Sequence, residues 1–302
     1  MESAENGEAL VASVRNFGRS GIASMAISAV DAALWDLKAR LLDVPLVVLL
    51  GAVRDTVPVY GSGGFTSYTM TKLQAQLAGW VADDIPRVKM KIGRDPAADI
   101  ARIAAARAAI GDSAELFVDA NGAYDRKQAI AQAERFEDSR VSWYEEPVYH
   151  LDLEGLRLCR DRAPAQMEIS AGEYGYTPID FARILRAGAV DVLQADASRC
   201  EGITGLLVAN SLCEANAMPL STHCAPSLHV HVACAATRIR HCEYFHDHAR
   251  IESMLFDGAA VPVNGTIRPD LSRPGLGLEF KRPAARPYVF GFRPPHPFRY
   301  AA

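Results

Sequence analysis

The sequence predicts an α/β protein built on a closed, parallel TIM-like (β/α) barrel. Three observations carry that expectation. Short apolar runs recur at intervals of about 20 to 28 residues, and each ends in a polar residue suited to chemistry: Lys89-Met90-Lys91, Asp119-Ala120-Asn121, Glu145-Glu146-Pro147, Gly172-Glu173, Asp196, His223 and Glu243. Between the runs lie Ala- and Arg-rich stretches with helical spacing, which is the rhythm of parallel β/α units. In a closed barrel all strand carboxyl ends face one way, so residues far apart in sequence converge on one pocket.

Residues 1 to 20 are polar and weakly patterned. From Gly21 to Leu42 the apolar positions Ile22, Met25, Ala29, Val30, Ala33, Leu37 and Leu41 recur at three- and four-residue spacing, a helix with Ser20 as its cap and Pro45 beyond its end. Leu46 to Leu50, stopped by Gly51, reads as a second short helix. Val57 to Tyr60 is the first strand, followed by strands at Val88, Leu116, Val141, Ile169, Val190, Leu220 and Tyr244. Helices are expected at 71–83, 97–110, 126–136, 153–162, 178–187, 202–215 and 227–237. Asp95-Pro96, Asp125 and Thr177-Pro178 stand where a helix N-cap is favoured. From residue 247 onward, prolines at 262, 269, 274, 283, 287, 294, 295 and 297 predict an irregular tail.

Asp119, Glu145 and Glu173 end three consecutive strands, and carboxylates brought that close repel one another unless a cation joins them. A hard divalent cation such as Mg²⁺ takes oxygen ligands and keeps positions open for substrate. Lys89 and Lys91 share a strand face, because side chains alternate with a period of two. Two ammonium groups side by side lower each other's pKa, so one is expected partly neutral and fit to act as a base. His223 with Asp196 matches the design of a histidine oriented by a carboxylate. Glu243, if held neutral, could donate to a substrate carboxylate; Asn121 suits a substrate contact. Glu146 is expected beside the cation and not on it, since strand alternation turns it away from Glu145.

The chain has 302 residues, a net charge of -4 and six cysteines without metal-type spacing. That balance argues against nucleic acid and anionic membrane as partners. No run approaches a membrane span and the start lacks a secretory pattern, so reduced thiols and a cytoplasmic location are expected.

The stretches Ala26–Asp36, Val88–Lys91, Val118–Gly122, Tyr144–Pro147 and Ser170–Glu173, with Asp196 and His223, together resemble the enolase superfamily, and within it the mandelate racemase and acid-sugar dehydratase subgroup. The resemblance implies an enolase-type barrel over residues 56–248. Residues 1–55 are then the remnant of a truncated, helical N-terminal capping domain, and 249–302 a tail packing back on it. It implies one Mg²⁺ on Asp119, Glu145 and Glu173, with Lys91 as base on one face of the substrate. His223 with Asp196 serves the other face, Lys89 assists Lys91, and Glu243 polarises the carboxylate. Enolase-type sites use a Lys or His base with Mg²⁺ stabilising an enediolate, and that chemistry comes with the resemblance. The expected reaction is proton abstraction next to the carboxylate of a 2-hydroxy acid, leading to acid-sugar dehydration. Racemisation uses the same residues. A reading of another class is a non-catalytic barrel remnant that binds the cation without turnover. The resemblance also allows a homo-oligomer.

Overall fold

The computed structural model describes residues 3–290 of the chain. Three helices come first: α1 (Ser3–Ser13), α2 (Ile22–Leu41) and α3 (Leu46–Leu50). The β/α alternation then runs β1 (Val57–Gly63), α4 (Met70–Ala82), β2 (Arg87–Lys91), α5 (Pro96–Ile110), β3 (Glu115–Asp119) and α6 (Arg126–Phe136). It continues with β4 (Val141–Glu145), α7 (Leu153–Arg162), β5 (Glu168–Ala171), α8 (Pro178–Ala187), β6 (Val192–Ala195) and α9 (Gly202–Ala215). The last units are β7 (Leu220–Thr222), α10 (Pro226–Ala235), β8 (Ile239–Phe245) and α11 (His246–Leu255). Strands β1 to β8 pair in order, all parallel, and β8 returns to β1 with Tyr60 beside Glu243, closing the barrel. The expected barrel is therefore present.

Local chemistry explains the helix starts. Asp95 accepts from the Ala97 and Ala98 amides, Asp125 from Gln128, and Thr177 with Asp180 forms a reciprocal capping box. Two stretches differ from the sequence expectation. The front, read as weakly patterned, holds α1, where Glu8, Ala9, Leu10 and Ala12 are good helix formers. The tail, read as irregular from residue 247, first forms α11, because its prolines begin only at Pro262; Ser227 Oγ donates to Glu252 Oε2 at 2.6 Å and ties this helix to α10.

Strand alternation separates two cores. Outward residues such as Val88, Met90, Leu116, Val118, Ile169 and Leu193 pack beneath the helices. Gly61 faces outward too, and a Cβ there would lie 2.4 Å from the Trp80 ring of α4, so only glycine lets that helix approach. Inward residues form a separate cluster of Tyr60, Phe117, Trp143 and Val192, with Phe117 and Trp143 stacked at 5.2 Å. This cluster fills the barrel as a floor, and the ionisable residues lie above it, nearer the strand carboxyl ends.

The remaining chain forms β9 (Phe256–Asp257), β10 (Thr266–Ile267), β11 (Glu279–Phe280) and α12 (Arg282–Ala285). Strand β10 pairs antiparallel with the start of β1, Val57 opposite Ile267. Farther on, Leu46 N donates to Gly275 O at 2.7 Å, Leu276 N to Asp36 Oδ1 at 2.6 Å, and Arg40 bonds Glu279. These contacts hold the tail against α2 and α3. Helix α2 in turn sits on α9 through polar groups: Asp31 accepts from the Thr204 hydroxyl at 2.6 Å, and Ser28 Oγ from the Glu201 amide at 2.8 Å.

Candidate active site

Asp119 is the last residue of β3, Glu145 the last of β4, and Glu173 lies two residues past β5. All three are buried, and one carboxylate oxygen from each lies within 4.8 Å of the others. Gly172 makes this possible: its φ is +136°, and a Cβ there would stand 2.2 Å from Gln194 O on β6. Glu145 Oε1 is buried and accepts no hydrogen bond, and Glu173 Oε2 has only the His223 imidazole near it, at 3.2 Å. Orphaned carboxylate oxygens in a dry site are costly unless a cation meets them, so the donor set fits a hard divalent ion. Burial, then the Asp119 charge, pushes the Glu145 carboxyl up to about 8, which is the strain of packing these groups without one.

Two lysines reach the triad from β2. Lys89 is fully buried, its Nζ 2.6 Å from Glu145 Oε2 and 2.9 Å from Glu243 Oε1, over the Tyr60 ring. Lys91 bonds Asp119 and keeps 17% of its side chain exposed, the largest share in the cluster. The sequence expectation that their mutual repulsion leaves one partly neutral is corrected. Burial does lower both, but the carboxylates (Glu145 and Glu243 for Lys89, Asp119 for Lys91) outweigh it and hold both pKa values above the usual lysine range. The sequence shows the like charges side by side on one strand; their counter-charges come from other strands. Lys89 consequently sits beneath the opening as a clamp between Glu145 and Glu243, and Lys91 is the ammonium group that faces outward.

On the opposite wall, His223 follows β7. Its Nδ1 lies 2.7 Å from Asp196 Oδ2, and its Nε2 3.2 Å from Glu173 Oε2. Burial lowers the imidazole pKa, but Glu173, Cys224 and the Asp196 bond raise it well above the usual histidine value. Asp196 is held below the carboxylate range: the His223 bond overcomes burial.

Glu243, in β8, accepts from the Cys224 amide at 2.6 Å as well as from Lys89. The condition under which Glu243 could donate, a neutral carboxyl, is not met in the metal-free barrel. Burial favours protonation, yet Lys89 and then His223 hold the group ionised. Asn121 enters through its backbone, its amide donating to Asp119 Oδ1 at 2.8 Å, while its side chain is exposed.

Glu146 lies beside the triad and outside it, although its φ of +39° means that the chain leaves strand geometry there and alternation is not the reason. Its buried carboxyl is pushed well up by burial and by Glu173 and Asp119. Sequence reasoning missed several other neighbours. Trp143 donates from Nε1 to Glu145 Oε2 at 3.0 Å. Arg199 donates to Glu173 O at 3.0 Å and lies over the Tyr174 ring. Cys224 brings Sγ to 3.3 Å from His223 Nε2. The spacing Trp143-x-Glu145, one inward step apart, is the signal that could have found the first of these. A cavity of about 430 Å³ is lined by His150, Leu151, Tyr174, Arg183 and Ile184, and by Gly172, so that both chain neighbours of Glu173 face it.

The fold and this residue ring define an enolase-type barrel with three clustered carboxylates that could hold a cation. Residues 72–284 match the model of the enolase C-terminal domain-like family, and residues 3–51 that of the mandelate racemase / muconate lactonizing enzyme N-terminal domain. The chain belongs to this mandelate racemase / muconate lactonizing enzyme family of the enolase superfamily. It is similar to a mandelate racemase/muconate lactonizing enzyme-like protein from Rubrobacter xylanophilus, with 53% identity, a TM-score of 0.92, and 94% of this chain and 79% of that one covered. It is similar to L-talarate dehydratase from Polaromonas sp. JS666, solved with Mg and L-glucarate, at 34% identity and a TM-score of 0.85, over 94% of this chain and 78% of that one. L-talarate/galactarate dehydratase of Salmonella typhimurium is 36% identical over 220 residues, 72% of this chain; the match spans 55% of that relative's length. Among the described residues no helix is long and apolar enough to cross a membrane.

Proposed function

We propose that this chain abstracts the proton next to the carboxylate of a sugar acid and eliminates water, as an acid-sugar dehydratase dependent on Mg²⁺. The observation that carries this reading is the pair of proton-transfer groups flanking the triad: Lys91 at its Asp119 end and the His223–Asp196 dyad at its Glu173 end. Relatives that act on talarate and galactarate, and a neighbour solved with Mg and L-glucarate, point to the same class of substrate. Asp119, Glu145 and Glu173 would hold Mg²⁺, which would supply positive charge beside the substrate carboxylate.

The chain's own residues divide the remaining work. Lys91, once its ammonium has released a proton to solvent, takes the α-proton at Nζ. His223, kept cationic by Glu173 and oriented by Asp196, delivers a proton from Nε2 to the departing hydroxyl on the other face. Lys89 acts through Glu145 and Glu243 as a positioning residue, fixing both carboxylates from below. A buried charge so placed cannot move freely, which keeps the geometry ready before substrate enters.

The test is solvent exchange of the α-proton in D₂O with Mg²⁺ and a panel of sugar acids and aryl 2-hydroxy acids, followed by NMR. Exchange with a 2-keto product is expected, and Lys91→Ala or His223→Asn should slow it by ~10²–10⁴-fold. An inverted hydroxy acid in place of the keto product would make the chain a racemase. No exchange with any acid by folded, Mg²⁺-binding protein would leave the non-catalytic barrel.

A further inference from the structure

We propose that His223, Cys224 and Glu243 form a second cation site, bordering the carboxylate triad where His223 Nε2 lies 3.2 Å from Glu173 Oε2, that takes a thiophilic divalent ion of the zinc class. One ligand atom from each lies within 4.8 Å of the others, and all three residues are buried. The donor set is nitrogen, sulfur and carboxylate oxygen, which suits Zn²⁺ with three protein ligands and an open fourth position. Mg²⁺ has little use for sulfur or imidazole, so the triad and this site select different metals.

The backbone builds the site independently of any metal. Cys224 has φ +53° and Ala225 φ +39°, both left-handed and neither glycine. This turn is held on both sides: the Cys224 amide donates to Glu243 Oε2 at 2.6 Å, and its carbonyl accepts from His229 Nδ1 at 2.9 Å. The result turns Sγ toward the catalytic histidine, 3.3 Å from Nε2. Asp196 accepts from Nδ1 of that imidazole, the carboxylate–histidine pairing that orients a metal ligand and raises its basicity. Binding exchanges the protons on Nε2 and Sγ for the cation, and those protons leave to solvent. A cation there takes the nitrogen that serves as acid, so it blocks turnover; that consequence rests on the proposed function, whereas binding does not.

The experiment titrates metal-free full-length chain with Co²⁺, a spectroscopic stand-in for Zn²⁺, past two equivalents. The expected result is a thiolate-to-cobalt charge-transfer absorption that excess Zn²⁺ removes and excess Mg²⁺ leaves in place. Cys224→Ser, with folding checked by circular dichroism, should abolish it, and Asp196→Asn should keep it while weakening Zn²⁺ binding by about 10- to 100-fold. Cobalt bound without that absorption would overturn the proposal. So would its survival in Cys224→Ser, since the other described cysteines are also free and buried. Should that variant not fold, Glu243→Gln replaces it: unchanged Zn²⁺ affinity there would remove the third ligand and sink the site. The absorption reports binding without turnover, so a failed activity assay and a failed site are told apart.

Discussion

The inside of the barrel is built in two layers that obey opposite rules. The floor of Tyr60, Phe117, Trp143 and Val192 is an aromatic plug, with His241 packed 4.9 Å from the Tyr60 ring. One step up the same strands, Lys89, Asp119, Glu145 and Glu243 are equally buried, yet every one is ionisable. Phe117 precedes Asp119, Trp143 precedes Glu145 and His241 precedes Glu243, each by two residues, so one strand supplies both layers. The floor is held by packing and needs nothing else. The upper layer is held by charge pairing, and only while every partner is present. Packing and charge pairing are thus separated by a single inward step along β3, β4 and β8.

The largest break of that contrast is Lys89→Ala. It leaves Glu145 and Glu243 buried with their shared counter-charge gone, and removing one partner of such a cluster costs about 3–5 kcal/mol. Urea unfolding of the metal-free protein should show it as a lower midpoint with unchanged slope. A loss under about 1 kcal/mol, the size of an exposed pair, would mean the upper layer is not held by its ion pairs.

Cation binding should act only on the upper layer. Mg²⁺ at about 100 times its Kd is expected to stabilise the wild type by about 2.7 kcal/mol, read as a rise in unfolding midpoint on adding Mg²⁺ to chelator-treated protein. Glu173→Gln should remove most of that gain. A gain unchanged in the variant would place the ion elsewhere.

Trp143→Phe probes the join between the layers. It keeps an aromatic ring in the floor but deletes the indole N–H that donates to Glu145 Oε2. Losing a buried hydrogen bond to a charged group costs about 1.5–3 kcal/mol, and the ring stack with Phe117 survives. Loss of that size should shrink when Mg²⁺ is added, because Oε2, which keeps its Lys89 bond, then gains a second neighbour of opposite charge.

Most of the upper layer was legible in the sequence because it follows the simplest periodicity there is. Lys89 and Lys91, Asp119, Glu145, Glu173, Asp196, His223 and Glu243 all come together at one end of the barrel. Their protonation was not legible. It depends on which charges meet across strands, and Lys91 with Asp119 or Lys89 with Glu243 are pairs of distant residues. Cys224 escaped for a different reason. It sits just past a strand end at positive φ, where alternation no longer says which way a side chain points. The floor was hidden because Tyr60 and Trp143 read as ordinary apolar strand residues until their inward neighbours were known.

His241 is the titratable exception within the floor, and it gives the smallest expected effect. Its Nδ1 lies 2.9 Å from Ser221 Oγ, while Nε2 is buried without a partner. Burial, then Arg240, Arg87 and Lys89, lowers its pKa well below the usual histidine value. The unfolded chain therefore binds this proton first as pH falls. The neutral ring contributes its full stability above the unfolded value of about 6.5, and that contribution is lost as pH drops below it, by up to about 1.4 kcal/mol per pH unit. His241→Phe keeps the ring and removes the titration. Its unfolding free energy should fall less steeply than the wild type's between about pH 6.5 and pH 5, where the lowered groups His229 and His231 act on both proteins alike. Equal slopes would mean that His241 takes up its proton in the folded barrel as readily as in the unfolded chain, and the floor would then not be the dry, uncharged layer that sets it apart from the one above.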